Sequence, residues 1–260
     1  MGQKLDNAVG LYTEGINQGK PHEALDKYIG DRYTQHSTGV ADGKEGFLEF
    51  FIPFLKRNPV RDIRIVRTIE DGQYVFTHAH QSLNNGEWYY VTADIFDTDS
   101  NDKIIEHWDV IQEEVKETVS GRSMVDGATE IEDEDKTEEN RKLITEFVNN
   151  ILIGGAFDQV SNYISTDEYL QHSPTVGDGL EGFGKFAQEL AAAGRAMQYE
   201  KVHKILVQGN FAATLSKVKF GEEDWCIIDI FRMKNGKIVE HWDVQEVIGP
   251  KDTWNNSGKF

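Results

Sequence analysis

Cysteine is nearly absent from this chain, and basic charge is scarce. Cys226 is the one cysteine in 260 residues. A lone thiol excludes an internal disulfide framework and any zinc site built from several thiolates. It lies in the apolar run Trp225-Cys226-Ile227-Ile228, which suits a buried structural thiol rather than a nucleophile. Lys and Arg total 27 against 45 Asp and Glu, for a formal charge of −18. Such an acidic excess excludes sequence-independent nucleic-acid binding, which needs a basic face that displaces counterions, and it opposes anionic membrane surfaces. No apolar run nears the roughly 20 residues that span a bilayer. Met1 to Asp6 offer neither an apolar signal core nor the Ser or Thr of a myristoylation signal, so the expected location is the cytoplasm. Also missing are a Gly-rich phosphate loop, Gly-x-Ser-x-Gly, His-Glu-x-x-His and a dinucleotide fingerprint. Cofactor-free chemistry or plain ligand binding is what remains, and no cofactor is expected.

What the chain does have is a repeat. Glu106-His107-Trp108-Asp109-Val110 recurs as Glu240-His241-Trp242-Asp243-Val244. Gln35-His36-Ser37 recurs as Gln171-His172-Ser173, and Asp94-Ile95-Phe96 as Asp229-Ile230-Phe231. Asp42-Gly43-Lys44-Glu45-Gly46-Phe47 recurs as Asp178-Gly179-Leu180-Glu181-Gly182-Phe183. The offset drifts only from 136 to 134, far above the period of a solenoid, so the chain is a duplicated domain. The copies are expected over 1–118 and 136–250. Between them, 119–135 belongs to a strongly acidic stretch with little apolar content and is expected to be a flexible linker. Residues 251–260 are expected to be a loose tail.

Each copy runs helices first, then strands. Helical spacing predicts helices near 7–18, 21–29 and 43–56, with Pro53 kinking or shortening the third. The second copy offers equivalents over 143–152, capped near 137–140, and near 157–164 and 182–194. Four strands follow near 61–70, 73–82, 87–98 and 103–112, and again near 198–207, 210–219, 223–233 and 237–247. Asp71-Gly72, Asn84-Asn85-Gly86 and Asn235-Gly236 are hairpin signals, so the sheet should be antiparallel. The expected class is α+β: a tandem duplication of a cone-shaped unit, three helices packed on a strongly bent antiparallel sheet, with one pocket per unit.

Strand parity groups the polar residues. His107 and Asp109 share a face, as do His241 and Asp243, and as do His78 and His80. Asp94 and Asp229 lie on the neighbouring strand. The first copy could thus gather His36, His78, His80, Asp94, His107 and Asp109, and the second His172, Asp229, His241 and Asp243. A carboxylate among aromatics is held protonated to higher pH and can exchange a proton near neutrality, with a neighbouring His steadying it or polarising a carbonyl. The plainer alternative is that these strand residues satisfy one another. His78-x-His80 is a weak metal-ligand pattern, and Leu215 and Lys217 replace it in the second copy. The first copy therefore reads as the more polar site.

Tyr33-x-Gln35-His36-Ser37, Tyr169-x-Gln171-His172-Ser173, Asp-Gly-x-Glu-Gly-Phe, Asp-Ile-Phe and Gly236-Lys-Ile-Val-Glu-His-Trp-Asp-Val244 together resemble the SnoaL-like proteins of the nuclear transport factor 2-like superfamily. The resemblance covers both copies and implies the cone fold. It implies a small-molecule pocket and, in the cyclases of the group, an Asp that performs acid–base chemistry without a cofactor. The matching residues are Asp109 and Asp243, with His107 and His241 beside them. Tyr33, Tyr169, Phe96 and Phe231, with His78 and His80, are the expected ligand-binding residues. The implied reactions are aldol condensation, isomerisation or dehydration of a small apolar carbonyl compound. A non-catalytic ligand-binding module and a metal-binding first copy are the alternatives. Family members pair through the outer sheet face, so the copies are expected to form a pseudo-dimer within one chain, with Trp108 and Trp242 suited to that face, and further homo-oligomers remain open.

Overall fold

A computed structural model describes residues 2–260. The chain forms two compact units. Unit 1 comprises the residues up to Glu113 together with Gly249–Phe260, and unit 2 is Glu114–Ile248.

Unit 1 opens with α1 (Gln3–Gly10), which continues as a π-helical segment, Leu11–Asn17, followed by α2 (Pro21–Tyr28). Pro21 at the first helical position costs no hydrogen bond there, because that N–H has no partner inside a helix. Strand β1 (Ile29–Gln35) precedes α3 (Gly43–Arg57), and β2 (Arg61–Asp71), β3 (Tyr74–Leu83), β4 (Trp88–Thr98) and β5 (Ile104–Glu113) follow as a meander. Pro53 does not end α3, which runs on to Arg57; one missing N–H so near the C-terminal end removes a single backbone bond. Asn84, Asn85 and Gly86 take positive φ at the β3–β4 turn, as their residue types predict.

Unit 2 repeats this order. It has α4 (Thr137–Phe147) with a π-helical continuation Val148–Ile153, a 3₁₀ turn Phe157–Asn162 where a short helix was expected, the two-residue strand β6 (Leu170–Gln171) and α5 (Gly179–Ala192). Strands β7 (Met197–Gln208), β8 (Phe211–Phe220), β9 (Glu223–Lys234) and β10 (Lys237–Val247) complete it.

The expected cone does not form. Each unit is an α+β lobe whose sheet is neither strongly curled nor closed. The sheet orders are β1-β5-β4-β3-β2 and β6-β10-β9-β8-β7, each with two separate edges. The sheets are also mixed rather than antiparallel: β1 pairs parallel to β5, and β6 parallel to β10. The crossover through α3 or α5 permits that parallel strand, and its position on the last strand leaves the first meander strand as the opposite edge.

In each unit the helices pack on one sheet face. Leu5, Leu11, Leu25, Tyr28, Phe47 and Phe96 belong to the first core, and Ile144, Phe147, Ile151, Tyr169 and Phe231 to the second. Burying each such side chain contributes about 1.5–3 kcal/mol. Cys226 is buried, as its apolar run implies.

The two segments expected to be mobile are packed. Within unit 2, Met124 and Val125 are buried, Ser120 Oγ donates to Gln171 O, and Trp242 Nε1 donates to Asp126 O. Within unit 1, Asn255 N donates to Thr38 O and Asn256 Nδ2 to Ser37 O. A few apolar and hydrogen-bonding residues suffice to seat a chain whose average composition is polar. Among the described residues, no helix is long and apolar enough to cross a membrane.

Candidate functional site

Register decides which polar residues meet. On β4 and β5, Asp94 pairs with Asp109 and Phe96 with His107, while Thr77 of β3 pairs with Asp94. Cross-strand partners share a face, so Asp94, Phe96, His107 and Asp109 point to the helix side. There they line a cavity of about 350 Å³ together with Tyr33, Tyr12 and an aromatic wall from α3, including Phe47, Phe50 and Phe51. Unit 2 repeats the arrangement. Asp229 pairs with Asp243, and Phe231 with His241. These four line a cavity of about 400 Å³ with Tyr169, Tyr199, Phe147, Phe183 and Phe186.

The same register takes other expected residues away. His78 pairs with Ala93 and His80 with Val91, on the face opposite Asp94. His78 Nδ1 lies 3.1 Å from an Arg67 guanidinium nitrogen, a cation that opposes a metal ion there, and His80 stacks with Tyr89. His36 stacks on Trp108 at 4.8 Å, and its ring nitrogens meet Gly258 O and Glu106 Oε1. His172 does the same with Trp242, Ser123 O and Glu240 Oε1. All four histidines hold the back of a sheet and do not line these pockets. The two tryptophans are likewise engaged within their own units.

The pocket histidines have a fixed proton on one side. Ser37 N–H donates to Gln35 Oε1 at 2.9 Å, which identifies that atom as the amide oxygen. His107 Nδ1 lies 2.9 Å from the same oxygen and must therefore donate. Its Nε2 lies 2.9 Å from Asp94 Oδ1, so one proton is shared between imidazole and carboxylate. His107 is also stacked between Phe96 and Tyr33. In unit 2, Ser173 N and His241 Nδ1 meet Gln171 Oε1 at 3.0 and 2.8 Å, and His241 Nε2 is 3.0 Å from Asp229 Oδ1. A tyrosine completes each dyad from a different element. Tyr12, in the π-helical segment, donates to Asp94 Oδ1 at 2.6 Å, whereas Tyr199 on β7 reaches both oxygens of Asp229 at 3.2 Å. Burial raises both tyrosines well above the usual phenol range, and the adjacent carboxylate adds to it, so both remain donors. Burial also raises the Asp94 carboxyl, with His107 opposing.

The units part company at the remaining Asp. In unit 1 the buried Lys259 Nζ lies 2.9 Å from Asp109 Oδ1 and 2.9 Å from Asp109 O. Burial pushes the Asp109 carboxyl up, but the Lys259 ammonium and then His107 outweigh it, and the net direction is down. In unit 2, Asp243 Oδ2 accepts from Gln245 Nε2 at 2.6 Å, and Oδ1 has no hydrogen-bond partner among the described residues. Burial raises this carboxyl, His241 opposes, and Asp229 adds to the rise. Asp229, His241 and Asp243 also present ligand-type atoms within 4.8 Å of one another, a group able to hold a metal ion. Taking one up would break the His241–Asp229 bond.

Sequence reasoning missed Gln35, Gln171, Tyr12, Tyr199 and Lys259. The glutamines were visible inside the repeated Gln-His-Ser motif, where the histidine drew attention instead. No repeat marks the tyrosines, because different elements supply them.

Residues 9–107 match the family model described as the SnoaL-like domain. Unit 1 is thus a SnoaL-like domain, and unit 2 repeats its strand order and its Gln, His and Asp set in a two-lobed, duplicated chain. A candidate ketosteroid isomerase from Kribbella flavida is 20% identical, with 44% of this chain and 84% of that one covered and a TM-score of 0.38. A candidate polyketide cyclase from Bacillus cereus is 19% identical, covering 42% and 74%, with a TM-score of 0.39. An LEH-like epoxide hydrolase of M. tuberculosis is 19% identical, covering 43% and 85%, with a TM-score of 0.33. No curated protein sequence matches the chain.

Proposed function

We propose that the chain is a small-molecule pocket protein whose second unit performs cofactor-free acid–base chemistry on a small apolar carbonyl compound. The observation that carries this reading is Asp243: a buried carboxylate with one oxygen unpartnered, lining an aromatic pocket and raised toward the range where it takes and returns protons. Asp243 accepts the proton next to the carbonyl, the C–H electron pair becomes the carbon–carbon double bond, and the carbonyl π pair moves onto oxygen. His241 does not polarise that oxygen, because both its nitrogens are engaged by Gln171 and Asp229. It is a positioning residue that sets the local charge. Tyr169 accepts from Gln171 Nε2 at 3.4 Å, which leaves its O–H to face the developing enolate, and Ser173 Oγ lines the same pocket. Aldol condensation, isomerisation and dehydration share this first step.

The test is α-proton exchange of 2-tetralone, a bicyclic apolar ketone, in D₂O. Asp243→Asn should lose the enzymatic exchange while the fold stays intact, and an unchanged rate in that variant refutes the assignment. The proposal includes a cytoplasmic chain that works as a pseudo-dimer of its own two copies. Light scattering that returns the mass of one chain, 29.5 kDa, is the expected result.

A further inference from the structure

The two pockets carry the same Asp–His–Asp set but not the same charge. Gln245, which donates to Asp243, is replaced by Ile111 in unit 1, but the formal charge differs at one position on the segment anchored at each His–Trp stack. His36 Nδ1 holds the carbonyl of Gly258 at 2.6 Å, and His172 Nδ1 holds that of Ser123 at 2.7 Å. The next residue is Lys259 in unit 1 and Met124 in unit 2, both fully buried. The side chain that follows an equivalent anchor is therefore an ammonium in one unit and a neutral thioether in the other. The ammonium bonds Asp109 at both its carboxylate and its own carbonyl oxygen.

We infer that Lys259 is a specificity-setting residue: it fixes Asp109 as a permanent carboxylate and, with Asp94 engaged by His107 and Tyr12, lets the first pocket hold a neutral apolar ligand without Asp109 exchanging protons with it. The inference rests on the acid–base reading of unit 2. A carboxylate clamped by an ammonium is a poor base, because taking a proton means giving up a buried ion pair. The groups that face Asp109 are Asp94 from β4, His107 from its own strand, Tyr33 from β1, the Ser37 hydroxyl just after it, Tyr12 from the π-helical segment and Lys259 from the terminal segment. Of these, Lys259 is the one with no counterpart in unit 2. The remaining first-pocket lining is mostly aromatic or aliphatic, with Phe47, Phe50, Phe51 and Phe54 among it, so binding of an apolar ring system does not depend on the carboxylate.

Replacing the lysine with the residue that unit 2 uses, Lys259→Met, should convert the first pocket into a second exchanging site. Asp109 then accepts the α-proton of the ketone, the C–H pair forms the enolate carbon–carbon double bond as the carbonyl π pair moves onto oxygen, and a deuteron from the solvent-exchanged carboxyl returns to carbon. Two measurements on the full chain decide it. Carboxyl ¹³C NMR titration should show Asp109 below the ordinary carboxylate range in the unmodified chain and shifted upward by at least about one unit in Lys259→Met. Lys259→Gln, which keeps a donor and drops the charge, should behave alike and serves where Met disturbs folding. Exchange of 2-tetralone should be lost in Asp243→Asn and return by roughly a hundredfold in Lys259→Met/Asp243→Asn. An Asp109 titration that does not move, a folded double variant without restored exchange, or exchange in Asp243→Asn that needs Asp109 with Lys259 in place would each overturn the inference. Absence of exchange from the unmodified chain would instead sink the acid–base reading, while the titration still decides the role of Lys259.

Discussion

Lys259→Ala should be among the most damaging single substitutions in unit 1. The side chain is 1% exposed and its partner Asp109 7% exposed, so the ion pair is screened by almost no water. Removing one partner of a buried pair leaves the other charge uncompensated, which costs about 3–5 kcal/mol. The lower end applies here, because Asp109 can relieve its isolation by taking a proton, and unit 2 folds with Asp243 lacking such a cation. About 3 kcal/mol corresponds to roughly a hundredfold loss of protection. Amide hydrogen exchange read by mass spectrometry on β4 and β5 peptides suits the question, since it reports unit 1 separately from unit 2. The pH dependence has a definite sign. Asp109 has a folded-state carboxyl held low, so its stabilisation is complete above the unfolded value of about 3.9 and is lost as acidification carries the pH through the folded value. The gap between the two proteins should therefore be widest at neutral pH and narrow on acidification. Asp109→Asn combined with Lys259→Ala should cost less than the sum of the single changes, with a coupling of about 2 kcal/mol or more. A gap below about 1 kcal/mol at neutral pH, or equal gaps at neutral and acid pH, would refute the picture of a buried charge pair.

Three further outcomes are expected. Asp243→Asn should lower enzymatic proton exchange by about 10²- to 10⁴-fold while ligand-induced quenching of protein fluorescence persists, since the aromatic lining is untouched. Gln171→Leu should cost roughly tenfold in that exchange and move its pH profile, because the amide oxygen that fixes the His241 proton is gone; an unmoved profile would leave Gln171 a packing residue only. Gly127→Ala should unseat the segment behind the second sheet: Gly127 has φ +91, and an added Cβ would lie 2.9 Å from Trp242 Cζ2 and 3.0 Å from His172 Nε2, so a loss of about 2–4 kcal/mol and new proteolysis near 120–130 are expected in a melting and digestion series.

Much of the fold was legible because local signals agreed with the tertiary outcome. Strand-like runs, three of their turns marked by Asn-Gly or Asp-Gly, placed all eight meander strands to within a residue or two. β1 and β6 were not legible, because Ile29-Gly-Asp-Arg-Tyr-Thr-Gln35 carries polar residues where a buried strand would be apolar, and β6 is only two residues long. That omission had a consequence for the site. Once residues 29–35 are a strand, parity carries on through the Gln-His-Ser motif, and it puts Gln35 and Ser37 on one face and His36 on the other. The misplacement of His78 and His80 was avoidable in the same way. The β3–β4 turn pairs Leu83 with Trp88, and counting back from it pairs Thr77 with Asp94. The pocket face of β3 therefore carries Thr77, and the two histidines lie behind it.

The asymmetry between the pockets was beyond any reading of the repeated motifs, because those motifs are the same in both copies. It is set by residues outside the duplicated strands. Met124 lies in an acidic stretch and Lys259 in a polar tail, both of which composition assigns to solvent. What overrides composition there is a short anchor: a histidine ring stacked on a tryptophan, with Nδ1 on a main-chain carbonyl of the passing segment. The anchor sets the following side chain beside β5 in unit 1, within reach of Asp109. A single substitution at the position after the anchored carbonyl can thus change the charge state of an Asp lining the pocket without replacing any pocket-lining residue. Duplication followed by divergence at that position adds a charge beside one copy of the Asp–His–Asp set and not the other, leaving one with a clamped carboxylate and one with a carboxyl that keeps an oxygen unpartnered.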